Sequence, residues 1–151
     1  MTEYLEATYD KFTFRVRTAF RYSRDDLWAY LRDGRATVGL TDFLQRRSGD
    51  VAFVDLPAPD SEVRLGEPCC TLDTIKATVE LASPLTGRVV AANAELEDHP
   101  ELINEEPYDR GWLFAIEPDD LRTFDTEMLD AQAYFEWMVG RLEQESRKLG
   151  H

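Results

Sequence analysis

One lysine set inside a two-strand pattern limits what this chain can fold into more than any other feature. Residues 63–72 (Val63-Arg64-Leu65-Gly66-Glu67-Pro68-Cys69-Cys70-Thr71-Leu72) and residues 79–90 read as strands. Both are β-branched and apolar stretches bounded by Gly and Pro. Between them, Asp73-Thr74-Ile75-Lys76-Ala77-Thr78 is short enough to be the turn of a hairpin. A lysine at such a tip is held away from the body on a rigid stalk. That is the placement a covalently attached, swinging arm needs at its root. Most lysines are only solvated surface charges, so the rest of the chain has to decide between the two readings.

The remaining pattern supports a mainly β protein. Phe12–Arg17 alternates as a short strand. Leu27–Leu31, Asp33-Gly34 and Ala36–Leu40 form a strand–turn–strand signature. Thr41–Gly49 reads as a short helix, with Thr41 as N-cap and Gly49 just past its end. Val51–Leu56 is a strand stopped by Pro57. Residues 95–104 read as a loop with a helical turn, and Gly111–Ile116 as the final strand. From Asp119 the apolar residues Leu129, Tyr134, Phe135, Met138, Val139 and Leu142 recur at helical spacing. Strands following Gly49 and Gly87 hint at two related sheets, each giving one strand to the lysine hairpin. Many short strands with flanking helices point to a small barrel or sandwich with helical appendages.

Charge and composition exclude several partners. The net charge of −13 repels nucleic-acid phosphates and anionic lipid. It favours salt-sensitive encounters with proteins bearing basic patches. No stretch is long and apolar enough to span a membrane. Met1–Glu6 lacks the basic and apolar regions of a signal peptide, so the expected location is the cytoplasm. The only cysteines, Cys69 and Cys70, are adjacent, which excludes a disulfide framework. His99 and His151 have no ligand spacing around them, so no metal site is expected. No phosphate-binding glycine motif or nucleophile elbow is present.

Between Arg21 and Ile116 the chain resembles the glycine cleavage H proteins, which carry lipoic acid on a lysine. The resemblance rests on Arg21-Tyr22-Ser23 with Trp28, Ala36–Asp42, Gly49-Asp50-Val51 and Val54–Pro57. It continues through Asp73–Ala77, Ser83–Gly87, Asn93–Asp98, Pro100–Tyr108 and Gly111–Leu113, in that order and spacing. It implies a barrel-sandwich hybrid and a non-enzymatic carrier with lipoate amide-linked to Lys76. It implies domain bounds of 21–117 for the carrier, with extensions at 1–20 and 118–151. Asp73, Thr74, Ile75 and Ala77 would be read by the lipoate-protein ligase or lipoyl synthesis enzymes, although Asp73 and Thr74 are also good turn residues. Biotin carriers resemble a Met-Lys-Met tip, which Ile75 and Ala77 do not match. A shuttle of this size is expected to be a monomer.

Three departures shape the expected cargo. Leu27 stands where the glycine cleavage members carry a glutamate near the loaded arm, leaving Asp26 or another acid to substitute. Cys69-Cys70 lies on the strand leading to the lysine. Alternation turns one thiol inward and leaves the other to meet the arm or solvent. Both ends are extended beyond the minimal pattern. These features resemble the lipoate-binding proteins of a heterodisulfide-reductase-like sulfur oxidation system, so sulfur is the expected cargo. The alternative is an aminomethyl group passed among glycine decarboxylase, aminomethyltransferase and dihydrolipoamide dehydrogenase. A third reading is an unlipoylated binding or regulatory module.

Overall fold

The structure, a computed structural model, describes residues 3–148. In chain order its strands are β1 Tyr4–Tyr9, β2 Phe12–Arg17, β3 Arg21–Tyr22, β4 Leu27–Arg32, β5 Arg35–Leu40, β6 Val51–Asp55 and β7 Glu62–Val63. They continue with β8 Pro68–Thr74, β9 Thr78–Ala82, β10 Gly87–Ala92 and β11 Phe114–Pro118. The helices are α1 Asp42–Ser48, α2 Leu102–Glu105, α3 Arg122–Glu127 and α4 Ala131–Lys148.

A six-stranded sheet in the order β3-β4-β5-β11-β10-β7 faces a three-stranded sheet, β6-β8-β9. Alternation along β4 and β5 turns Leu27, Ala29, Val38 and Leu40 inward. There they join Phe114 and Ile116 of β11 and Val51, Leu72 and Leu81 of the smaller sheet in one apolar core. The mainly β expectation therefore holds. The expectation that each sheet gives one strand to the lysine hairpin does not. β8 and β9 pair with each other inside the smaller sheet, and β10 belongs to the larger one.

A second core covers the outer side of Trp28. Phe14 and Val16 of β2, Phe20, Tyr22, Phe43, Tyr108 and, from α4, Tyr134 and Met138 pack with it in one cluster. Phe20 stacks on Trp28 at 4.5 Å, and Tyr22 on Tyr134 at 4.6 Å. Trp28 Nε1 donates to Pro107 O at 2.8 Å. Gly39, opposite Trp28 in the ladder, has to be glycine. A Cβ there would sit 2.6 Å from the indole ring.

The stretches 63–72 and 79–90 are each broken, into β7 and β8 and into β9 and β10, and boundaries depart from the sequence reading in three further places. The N-terminal strand is one arm of a hairpin, because Asp10 and Lys11 adopt φ of 49° and 76° and turn the chain back. Without an Asn-Gly or Asp-Gly pair, that turn carries no sequence signature. The last strand begins at Phe114, three residues late, because Gly111 N and Trp112 N close a turn onto Glu106 O and Asp109 O. The C-terminal helix is broken. Leu129 leaves it to bridge Tyr22, and Asp130 Oδ1 accepts from Ala133 N at 2.8 Å at the start of α4.

Candidate functional site

The expected helix, caps and turn assemble around Lys76. Asp73 pairs with Thr78, leaving Thr74–Ala77 as a four-residue loop. Thr74 builds that loop from inside. Its N–H donates to Ala77 O at 2.9 Å. Its Oγ accepts from Lys76 N at 3.2 Å and Ala77 N at 3.1 Å, and donates to Ala77 O at 3.0 Å. Thr78 Oγ donates to Asp73 Oδ1 at 2.8 Å across the base. Both side chains hold the turn in the way short polar residues do.

A second segment steadies the loop from the side. Ile75 N donates to Asp50 O at 3.2 Å. Asp50 follows α1, which Thr41 caps through Leu44 N and Gly49 ends with φ 84° and ψ −171°. Only glycine adopts that backbone without strain. Gly49 also leaves room for the lysine, since a Cβ there would lie 3.3 Å from Lys76 Cε. Asn104 of α2 clamps the same stretch. Its Nδ2 donates to Gly49 O and its Oδ1 accepts from Val51 N, both at 2.9 Å.

The amine itself is available. Lys76 is exposed, and among the described residues no carboxylate lies within ion-pair distance of it. The site fits a lipoyl group: an exposed amine, a pinned backbone beneath it and a glycine beside its stem. Ile75, 76% exposed, and Ala77 flank it on the surface. The sequence marked Gly49 as a helix cap and Asn104 only as part of a matching stretch. Their support of the lysine loop depends on contacts between distant segments, which no local pattern announces.

The candidate arm contacts are placed differently. Leu27 is fully buried in the main core, so it lines no cleft. Asp26 is also unavailable as a substitute acid. Its carboxylate receives both contacts of Arg141 Nη1, at 2.8 and 2.9 Å, and the Tyr134 hydroxyl at 2.8 Å. Burial raises the Asp26 pKa, with Tyr134 and Arg141 opposing that shift. Cys70 is the inward thiol, packed in the core. Cys69 is half-buried, and its Sγ donates to Leu81 O at 3.5 Å. Burial pushes the Cys69 thiol up to about 12 and raises Cys70 as well. Thiols held so far from thiolate pack as small apolar groups.

No described helix is long and apolar enough to cross a membrane. Among the described residues no cluster of His, Cys, Asp and Glu has a metal-holding arrangement.

The glycine cleavage H-protein family model matches residues 20–140. A probable glycine cleavage system H protein of Aeropyrum pernix is 42% identical over 130 residues, covering 86% of this chain and 90% of that one. The glycine cleavage system H protein of Hydrogenovibrio crunogenus is 45% identical over 111 residues, covering 73% and 86%. The crystal structure of such a protein from Mycobacterium marinum superposes with a TM-score of 0.71 at 30% identity, covering 78% of this chain and 94% of that chain. These likenesses support the glycine cleavage alternative over the sulfur oxidation reading. The burial of Leu27 and Cys70, with the half-buried Cys69 thiol held protonated, weakens two of the three features that favoured sulfur. Proteins of this kind are lipoyl carriers rather than catalysts, and their fold is the barrel-sandwich hybrid. By fold and by sequence, this chain belongs to the glycine cleavage H-protein family.

Proposed function

We propose that Lys76 is the lipoyl attachment site and that the chain shuttles the aminomethyl group of glycine cleavage. Its partners would be glycine decarboxylase, aminomethyltransferase and dihydrolipoamide dehydrogenase. The observation that carries this reading is the exposed amine, with no carboxylate within ion-pair distance among the described residues, on a four-residue loop pinned by Thr74 and the Asp50 carbonyl. Once amide-linked to Nζ, lipoate supplies a dithiolane whose sulfurs accept a group and are reoxidised by a partner.

The chain's own residues do the rest by position. The loop fixes the root of the tether, so the attached head is confined near each docked partner at high effective concentration. Amide formation removes the lysine charge, and among the described residues no ion-pair partner is left unpaired by that loss. Thr74 and Asp73 present the loop shape, and Ile75 and Ala77 the exposed surface, that a lipoate-protein ligase would read. The carrier proper would span 21–117, with 1–20 and 118–151 as extensions.

The test is turnover. Lipoylated protein is offered to glycine decarboxylase with glycine and, in parallel, to a sulfur-oxidising extract. Glycine-dependent carbon dioxide release that vanishes with Lys76→Arg supports the proposal. Activity confined to the sulfur extract overturns it.

A further inference from the structure

The outer face of the six-stranded sheet carries an arginine-rich groove on an otherwise acidic molecule. It encloses about 720 Å³ and is lined by four arginines (Arg17, Arg32, Arg35 and Arg110) against one carboxylate, Asp109. The chain as a whole has 30 acidic and 17 basic residues. The floor is small, made by Thr37, Ala91 and Ala115, and the aromatic wall includes Tyr30 and Trp112.

The ladder sets the order of these groups. Arg32 lies opposite Arg35, Tyr30 opposite Thr37, and Trp28 opposite Gly39. At the far end Phe20 stacks on Trp28, and the Arg17 guanidinium lies 4.7 Å from the Phe20 ring centroid. The β4 row from Trp28 to Arg32 is about 13 Å long, with Arg32 at one end and Arg17 beyond the other, across Phe20. At one end, Arg17 is paired with Asp109, and Arg110 with Glu95 and Glu106. At the other, Arg35 has no carboxylate within ion-pair distance among the described residues. Arg32 has only Asp33 at 3.9 Å, where both side chains are more than three-quarters exposed.

Two arginines directly opposite on neighbouring strands disfavour the hairpin that carries them. A carboxylate bound between them would relieve that repulsion through charge-assisted, fork-shaped hydrogen bonds. Tyr, Trp and Arg are the side chains on which protein interfaces concentrate their energy.

The geometry points to a docking groove for an extended acidic segment of a partner protein, with carboxylates spaced around an apolar or aromatic residue. The acidic remainder of the surface steers the carrier toward basic patches. The Arg32–Arg35 end of this groove offers cations to an acidic partner instead, so it sets orientation as well as attraction. It lies on the face of the larger sheet turned away from the core, and Lys76 rides on the other sheet, so docking here leaves the arm free.

The probe is a synthetic peptide of about ten residues, with glutamates flanking Leu and Phe. It is titrated by NMR into the Lys76→Arg protein, so the outcome does not depend on lipoylation. The expected result is shifts at Tyr30, Thr37, Ala91, Ala115 and the Trp112 indole, weakening as salt rises. A matched lysine-for-glutamate peptide should shift none of them. Arg32→Gln/Arg35→Gln should weaken binding at least tenfold while thermal stability is unchanged or higher, a split that a purely structural role would not give. Equal binding by that variant overturns the proposal, as does an absence of groove shifts. Shifts with ATP but not with the acidic peptide also overturn it, in favour of a small phosphorylated ligand.

Discussion

Leu27 shows how a single position reads differently in sequence and in space. Set against the family's glutamate, it suggested a changed cargo. In the fold it faces Leu40 across the β4–β5 ladder and is fully buried. Leu27→Glu is therefore expected to destabilise the protein by at least about 3 kcal/mol, because it buries a carboxylate without a partner. A urea melt checks this, and an unchanged midpoint would argue against it. Cys69 makes a second residue-scale case. Its thiol, ordinarily near 9.0, is pushed up to about 12 by burial. The folded state thus holds this proton more tightly than the unfolded chain. That contribution to stability is complete below about pH 9 and is lost as pH rises toward 12. At pH 8 the native thiolate is about a thousandfold scarcer than in an ordinary thiol. Iodoacetamide should label native protein slowly and both cysteines promptly in urea. Fast native labelling at Cys69 would restore the redox reading.

At the scale of elements, what was legible in the sequence divides by range. The β4–β5 hairpin was visible because Asp33-Gly34 occupies its turn with both residues at positive φ. The Thr41 cap and Gly49 stop of α1 were visible for the same local reason. β1 was hidden because Asp10-Lys11 adopts the same backbone without a glycine. The pairing of β8 with β9 in one sheet, and the departure of Leu129 from the C-terminal helix, depend on contacts with distant strands. The Lys76 loop was legible as a turn, whereas its lateral support from Asp50 and Asn104 was not. The tie between α4 and β4 is another long-range feature. Arg141 and Tyr134 both reach Asp26, which sits at φ 69° just before β4. Asp26→Asn keeps a residue that tolerates that backbone and is expected to cost about 2 kcal/mol by leaving Arg141 unpaired. Combined with Arg141→Gln, a double-mutant cycle should show a coupling of about 1–3 kcal/mol. Additive effects would mean that the pair does not join helix to sheet.

Across the whole molecule, the architecture separates three tasks. The two facing sheets supply the main core. The N-terminal hairpin and α4 bury the outer side of Trp28 in a second one. The smaller sheet extends a single hairpin, and its tip is the only part of that sheet the proposed chemistry uses. A carrier built this way needs rigidity beneath the tip and freedom beyond it. Both follow from a backbone pinned at Thr74 and Asp50 under an amine that no carboxylate holds among the described residues. The most direct measurement is the intact mass of protein expressed in lipoate-replete cells with an active ligase. A single lipoyl increment is expected, and it should disappear in Lys76→Arg. An unmodified mass, or an increment that survives the substitution, would contradict the assignment of the arm to this lysine.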